Sequence, residues 1–81
     1  MSRTVFHIAP NYGILGGGQC RVYKAIIESE GIPEYRDHPH MYKEAGLMNA
    51  QGKIVCLDAT DEQRQEFKDC EPLMAGTYLV F

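Results

Sequence analysis

Residues 19–30 have the sequence QCRVYKAIIESE, and the conformation of this stretch decides which fold the chain can form. Its apolar residues recur at spacings of three and four residues, as they do on one stripe of a helix. They are Val22, Tyr23, Ile26 and Ile27. Gly31 and Pro33 follow as a strong helix stop, because glycine takes the left-handed C-terminal position and proline cannot continue the helix. The spacing therefore predicts a helix over residues 19–30.

The flanking stretches favour strands. Residues 4–9 alternate before Pro10 removes a backbone donor, which predicts a first strand that ends near residue 9. Residues 47–57 resemble two strands joined by a tight turn, in which Gly52 supplies the positive φ that short hairpin loops need. Residues 76–81 have a β pattern that runs to the terminus. The sequence thus predicts four strands.

A second helix is predicted after residue 60. Thr60 followed by Gln63 fits a capping box, with two acidic residues in the first turn where they favour the helix dipole. Phe67 and Cys70 give this helix a thin apolar stripe, and Pro72 closes it. Between residues 33 and 43 the signals are mixed, and both a single helical turn and an ordered loop fit them.

The predicted order is β-α-β-β-α-β within 81 residues. This order is that of the ferredoxin-like fold, in which two helices lie on one face of a four-stranded antiparallel sheet. A chain of this length can bury only one small core, so we expect residues 1–81 to form a single domain.

Composition and charge exclude several classes of protein. With 44% hydrophobic and 23% charged residues, the chain has the composition of an ordinary globular protein. Its net charge of −3 makes nucleic acid an improbable partner, because non-specific nucleic-acid affinity depends on positive charge. The longest uncharged run contains four glycines and a proline and predicts no membrane span. Three cysteines without a CxxC pair favour reduced thiols and a cytoplasmic location.

The glycine-rich loop before residue 20 is the first candidate site. Gly16, Gly17 and Gly18 stand between a predicted strand and a predicted helix, with Arg21 just inside. Backbone amides and the positive end of the predicted helix can hold a phosphate or a nucleotide there. The alternative is that the glycines form only a flexible or tightly turned connector between the two elements. The loop has Walker A spacing but lacks the lysine and the Ser/Thr that bind phosphate and Mg²⁺. Residues 13–19 are also similar to the opening loop of ATP-grasp carboxyaminoimidazole ribonucleotide synthetases, but the chain is too short for such an enzyme.

Catalytic and metal-binding patterns are weak. His38 and His40 can face one side of an extended segment, but no further ligand stands at a recognised spacing. Cys20 stands at the N-terminus of the predicted helix, where its thiol pKa would be lowered, but nothing in the sequence brings His7 to it. We therefore expect no metal, no cofactor and no catalytic residue, and the protein is not expected to be an enzyme.

The strands carry more apolar residues than one covered face requires. If one set of strand residues faces the helices, the opposite face of the sheet is apolar as well. The residues predicted on this opposite, open face are Val5, His7, Ile54, Cys56, Tyr78 and Val80. A half-covered antiparallel sheet normally has a polar outer face. Either this face is an interface, or residues 33–45 fold across it with Tyr35, Met41 and Tyr42.

These observations predict a small non-catalytic protein-binding module that docks through its open sheet face, on a second copy as a homodimer or on another protein. Its size and acidic balance suit an inhibitor or adaptor of the kind that phages and other mobile elements encode. The alternative is a small-ligand protein that binds a phosphate or a nucleotide at residues 13–21.

Overall fold

The computed structural model describes residues 2–10, 20–56 and 58–81, with the side chain of residue 56 outside the description. The strands are β1 Arg3–Ala9, β2 Cys20–Ile27, β3 Lys43–Met48, β4 Ile54–Cys56 and β5 Tyr78–Val80. A 3-10 turn, Pro39–Met41, precedes β3, and the helix α1 spans Asp61–Asp69.

The predicted ferredoxin-like fold is wrong. The five strands form a single antiparallel sheet in the order β4-β3-β2-β1-β5, curled into a half-barrel. The described residues contain one α-helix, and the stretch predicted as the first helix is the central strand β2. Within the described residues, one helix therefore covers a sheet for which two covering helices were expected.

The prediction of a helix over residues 19–30 is wrong because β2 is buried on both faces. Cys20 and Val22 are buried on one side of the sheet, and Ala25 and Ile27 are buried on the other. Successive residues of a strand point to opposite faces, so a strand that is covered on both faces has apolar residues at odd and at even positions. Such an apolar run also matches the spacing of a helical stripe. Isoleucine, valine and tyrosine fit a pleated surface well, and pairing with β1 and β3 along β2 fixes the extended conformation.

Several other predictions are confirmed. β1 begins one residue before the predicted stretch 4–9 and ends with it, and β5 lies within residues 76–81. β3 and β4 form the expected hairpin with Gly52 at a φ of 80°, although β3 begins at Lys43, ahead of the predicted stretch. The capping box is present, because the Thr60 side chain accepts from the Gln63 backbone and the Gln63 side chain accepts from the Thr60 backbone. The segment around Pro39 forms the single helical turn that was one of its two interpretations.

The helix covers one face of the sheet, which we call the inner face. Phe67 of α1 is 2% exposed and meets the ring of Phe6 edge-on at 5.1 Å between ring centroids. Phe81 packs edge-on against both rings. The remaining buried residues of this cluster are Ile8, Cys20, Val22, Ala45 and Met48. Since burying a large apolar side chain contributes roughly 1.5–3 kcal/mol, Phe6 and Phe67 are major contributors to the stability of this small core.

Gly52 joins the hairpin to the chain that follows α1. Its carbonyl accepts a hydrogen bond from the Leu73 backbone at 3.0 Å. A Cβ at this position would lie 2.8 Å from the Cβ of Pro72 and 2.9 Å from the carbonyl oxygen of Leu73. Both the positive φ and this close approach therefore require glycine.

We expect Gly52→Ala to lower the free energy of unfolding by about 1–3 kcal/mol, because the new methyl group clashes with the backbone and the φ is strained. Gly31→Ala is the matched control, since nothing lies within 4 Å of its added Cβ and its φ is not positive. Urea denaturation of the two variants and the parent measures the difference. Equal stability of the two variants would contradict this account of the turn.

Candidate functional site

The face of the sheet opposite α1, which we call the outer face, carries an aromatic row across three strands. His7 of β1 stands directly opposite Tyr23 of β2 and opposite Tyr78 of β5. The rings of His7 and Tyr78 are stacked, with centroids 4.2 Å apart and planes 23° from parallel. Because cross-strand neighbours on one face are in contact, strand pairing alone brings these three side chains together.

Residues 33–42, which we call the covering segment, cross the outer face over this row. Tyr35 stacks on Tyr23 at 4.7 Å and on His7 at 5.5 Å between ring centroids. The Tyr35 backbone N–H donates to the Tyr78 hydroxyl at 2.9 Å. Tyr42, which packs against Val5, is 6% exposed and donates its hydroxyl proton to the Pro33 carbonyl at 2.6 Å. These contacts hold the segment on the sheet.

This arrangement matches the second of the two interpretations of the apolar outer face. The covering segment buries Val5 completely and leaves His7 only 6% exposed. Burial raises the pKa of Tyr42 to about 12, and the nearby Tyr78 adds to this effect. Met41 is also predicted to cover this face, but 38% of its surface is exposed.

His7 is a polar residue in an aromatic environment. Its Nδ1 is buried and makes no hydrogen bond within the described part of the chain. Burial lowers the pKa of His7 below its ordinary 6.5, because it penalises the charged imidazolium, and a contact with the Thr77 backbone opposes this effect. The imidazole is therefore neutral at pH 7.

An open pocket of about 710 Å³ lies beside His7, which we call the His7 pocket. Its wall includes the rings of Tyr35 and Tyr78 and the charged side chains of Glu34 and Arg36. The remaining lining residues are Ala9, Pro10 and Gly76. A volume of this size lies in the range of small-molecule sites.

The covering segment leaves the β3–β4 end of the outer face open. Val55 and Leu47 are direct cross-strand partners, and they are 59% and 43% exposed. Arg21 stands opposite Leu47 on β2 and is exposed too. We call these three residues the outer patch. Beyond Val55, the far edge of β4 pairs with no strand among the described residues.

The structure separates the six residues predicted as an interface. Val5 and His7 lie beneath the covering segment, and Tyr78 is partly buried beside them. Val80 is 39% exposed on the edge strand β5. Ile54 packs against the core on the inner face, because it pairs with the buried Met48. Cys56 pairs with Gly46 through its backbone.

The second predicted site lies mostly outside the described residues. This holds for Gly16, Gly17 and Gly18, whereas Arg21 lies on β2 rather than at the start of a helix. His38 and His40 are exposed, with ring centroids 6.2 Å apart. Within residues 2–10, 20–56 and 58–81, no group of three potential metal ligands comes together. No helix in these ranges is long and apolar enough to cross a bilayer.

The sequence does not identify Leu47 and Val55 as exposed residues, because successive residues on both strands of the hairpin are apolar. Leu47-Met48 pairs with Ile54-Val55, so either parity could have faced the core. A register shift of one residue moves every side chain of a strand to the other face of the sheet. Burial of Met48 selects the observed arrangement.

Comparison of the chain with protein-family models, with curated proteins and with solved structures found no significant match.

We expect the protein to lose stability as the pH falls from about 7 to about 5. The unfolded chain protonates His7 near the ordinary pKa of 6.5, whereas the folded protein holds the imidazole neutral. A lowered pKa of a histidine in the folded state gives stability that is present above the unfolded pKa and lost below it. The side chains that pack on His7 from three elements are tyrosines. Tyrosine is a residue type that is neutral between pH 5 and pH 7.

Thermal melting across this pH range tests the expectation. His7→Phe keeps a ring in the stack and removes the titrating group, so its melting temperature should depend less on pH than that of the parent. His38→Phe changes an exposed histidine and should keep the parental dependence. The same pH dependence in the parent and His7→Phe would show that His7 is not the group responsible.

Proposed function

We propose that this chain is a small non-catalytic protein-binding module, and that it docks through the outer patch and the free edge of β4 onto a second copy of itself. The observation that carries the proposal is the exposure of the cross-strand pair Leu47 and Val55 on the last two strands of the sheet. The face predicted to dock is otherwise covered by the chain's own tyrosines. The docking surface is therefore confined to the part that remains open.

The composition of the outer patch supports this function. Two aliphatic side chains stand in line with an arginine across β4, β3 and β2. Arginine is enriched at protein interfaces, where its guanidinium group supplies directional hydrogen bonds beside an apolar centre. An exposed strand edge adds unpaired backbone groups, which a strand from a partner can pair.

The sequence around β4 favours a second copy as this partner. If two β4 strands pair antiparallel about Val55, the two outer patches join into one apolar row. The same pairing brings Lys53, just before β4, towards Asp58 of the partner subunit, just after it. The Lys53 side chain is exposed, and that of Asp58 is 69% exposed although it pairs with Lys24 of its own chain at 3.1 Å. In the dimer, the Asp58 carboxylate would therefore lie between two lysines. Because β4 has only three residues, we expect a dimer in the micromolar range rather than a permanent one.

We expect Val55→Glu to shift the protein from dimer to monomer, because the twofold axis would place two carboxylates side by side. Light scattering after size-exclusion chromatography, over a range of micromolar concentrations, measures the mass. Ile26→Glu is the matched control, since Ile26 is 64% exposed on β2 and lies away from the outer patch. The dissociation constant should rise at least tenfold for Val55→Glu and stay the same for Ile26→Glu. A parent protein that is monomeric throughout, or equal effects of the two variants, would overturn the proposal.

A further inference from the structure

The His7 pocket lies on the outer face towards β5, and it adjoins the outer patch at Arg21, which stands opposite the lining residue Ala9. It opens where β1 ends and where β5 begins, beneath the start of the covering segment. The outer patch involves β4, β3 and the start of β2, and none of its three residues lines the pocket. The pocket and the docking surface on β4 therefore have different lining residues, and Arg21 is the residue of the outer patch that stands next to the pocket.

A buried polar atom marks the His7 pocket as more than a surface depression. His7 lines the pocket with 94% of its surface buried, and its Nδ1 is unpartnered among the described residues. Buried nitrogen atoms are nearly always hydrogen-bonded, and leaving one unpaired destabilises the folded protein. Because this nitrogen has almost no exposed surface, a ligand in the pocket pairs with it only after a small movement of the His7 ring.

The walls of the pocket are flat and fixed in place. Tyr78 stacks on one side of the aromatic row, and Tyr35 lies over the row and holds the Tyr78 hydroxyl through its backbone N–H. Aromatic walls suit a planar ring, because offset stacking and edge contacts add to the apolar area that a ring buries. Since these walls are positioned by strand pairing and by the covering segment, a ligand need not order them.

The charges around the pocket favour an anion. Arg36 lines the pocket, opposed by Glu34. Arg21 stands opposite the lining residue Ala9, and its charge acts on the Tyr35 hydroxyl. It thereby opposes the rise in the pKa of Tyr35 that a hydrogen bond with Tyr23 chiefly causes. Two guanidinium groups against one carboxylate leave a positive balance, and guanidinium binds phosphate and carboxylate groups in a bidentate manner.

We propose that the His7 pocket binds a planar aromatic or heteroaromatic ring that carries an anionic group, such as a nucleoside monophosphate or an aromatic carboxylate. The ring lies against Tyr35 and Tyr78, and a polar edge of the ring pairs with His7. The anionic group faces Arg36. The lining residues of this site lie outside the outer patch, and Arg21 of the patch stands beside them.

NMR titration of the labelled protein with four probes tests the proposal: AMP, adenosine, inorganic phosphate and benzoate. AMP or benzoate should give saturable shifts of the backbone amides of His7, Gly76 and Tyr78. Adenosine lacks the charge and phosphate lacks the ring, so each should bind at least tenfold more weakly than AMP if AMP is the better probe. Preference for benzoate over AMP would assign the site to aromatic carboxylates.

Arg36→Ala should weaken binding of the better probe by at least tenfold, as expected for loss of a charge-assisted contact. Arg64→Ala, which removes an exposed arginine from α1, should leave the affinity unchanged. Both substitutions are at exposed positions and should leave the fold intact. Absence of saturable shifts with AMP and benzoate at millimolar concentration, shifts confined to residues outside the pocket, or equal effects of the two substitutions would overturn the proposal.

Discussion

The pairing of β1 with β2 is the constraint on which the rest of the structure depends. It places Phe6, Ile8 and Val22 on the inner face of the sheet and Val5, His7 and Ala25 on the outer face. Both faces of this central pair are apolar or aromatic, so both need a cover. A two-layer domain with one helix can provide a helical cover for only one of them.

The chain covers the two faces by different means. On the inner face, α1 contributes the single buried side chain Phe67, and Phe81 and the segment after the helix complete the cluster. On the outer face, tyrosines provide the cover that a second helix would otherwise provide. Their rings bury apolar area, and their hydroxyls form hydrogen bonds with backbone groups. Neither cover reaches Leu47 and Val55, and there the outer patch remains. The His7 pocket lies towards β5, where the covering segment begins.

How far the sequence predicts this structure depends on how many faces each strand buries. The hairpin turn, the capping box of α1 and the terminal strands each rest on local chemistry, and the local pattern predicts them correctly. Residues 20–27 do not, because a strand buried on both faces has the same apolar content as a buried helix. The error then propagates, since exchanging a helix for a strand turns a four-stranded sheet into a five-stranded one.

The candidate sites are predictable only in part for the same reason. The excess of apolar strand residues correctly indicates an outer face that needs a cover, and Tyr35 and Tyr42 are among the residues expected to supply it. The sequence does not show which hairpin residues stay exposed, because Met48 and Leu47 compete for the core. Nor does it place Arg36 beside His7, since that proximity arises from the path of the covering segment across the sheet.

Backbone chemical shifts and nuclear Overhauser effects from one labelled sample test whether β2 pairs with β1 beneath the Tyr35 ring. We expect extended shifts over residues 20–27, cross-strand contacts between His7 and Tyr23, and contacts from the Tyr35 ring to both. Helical shifts over residues 19–30, or a Tyr35 ring without contacts to the sheet, would contradict it.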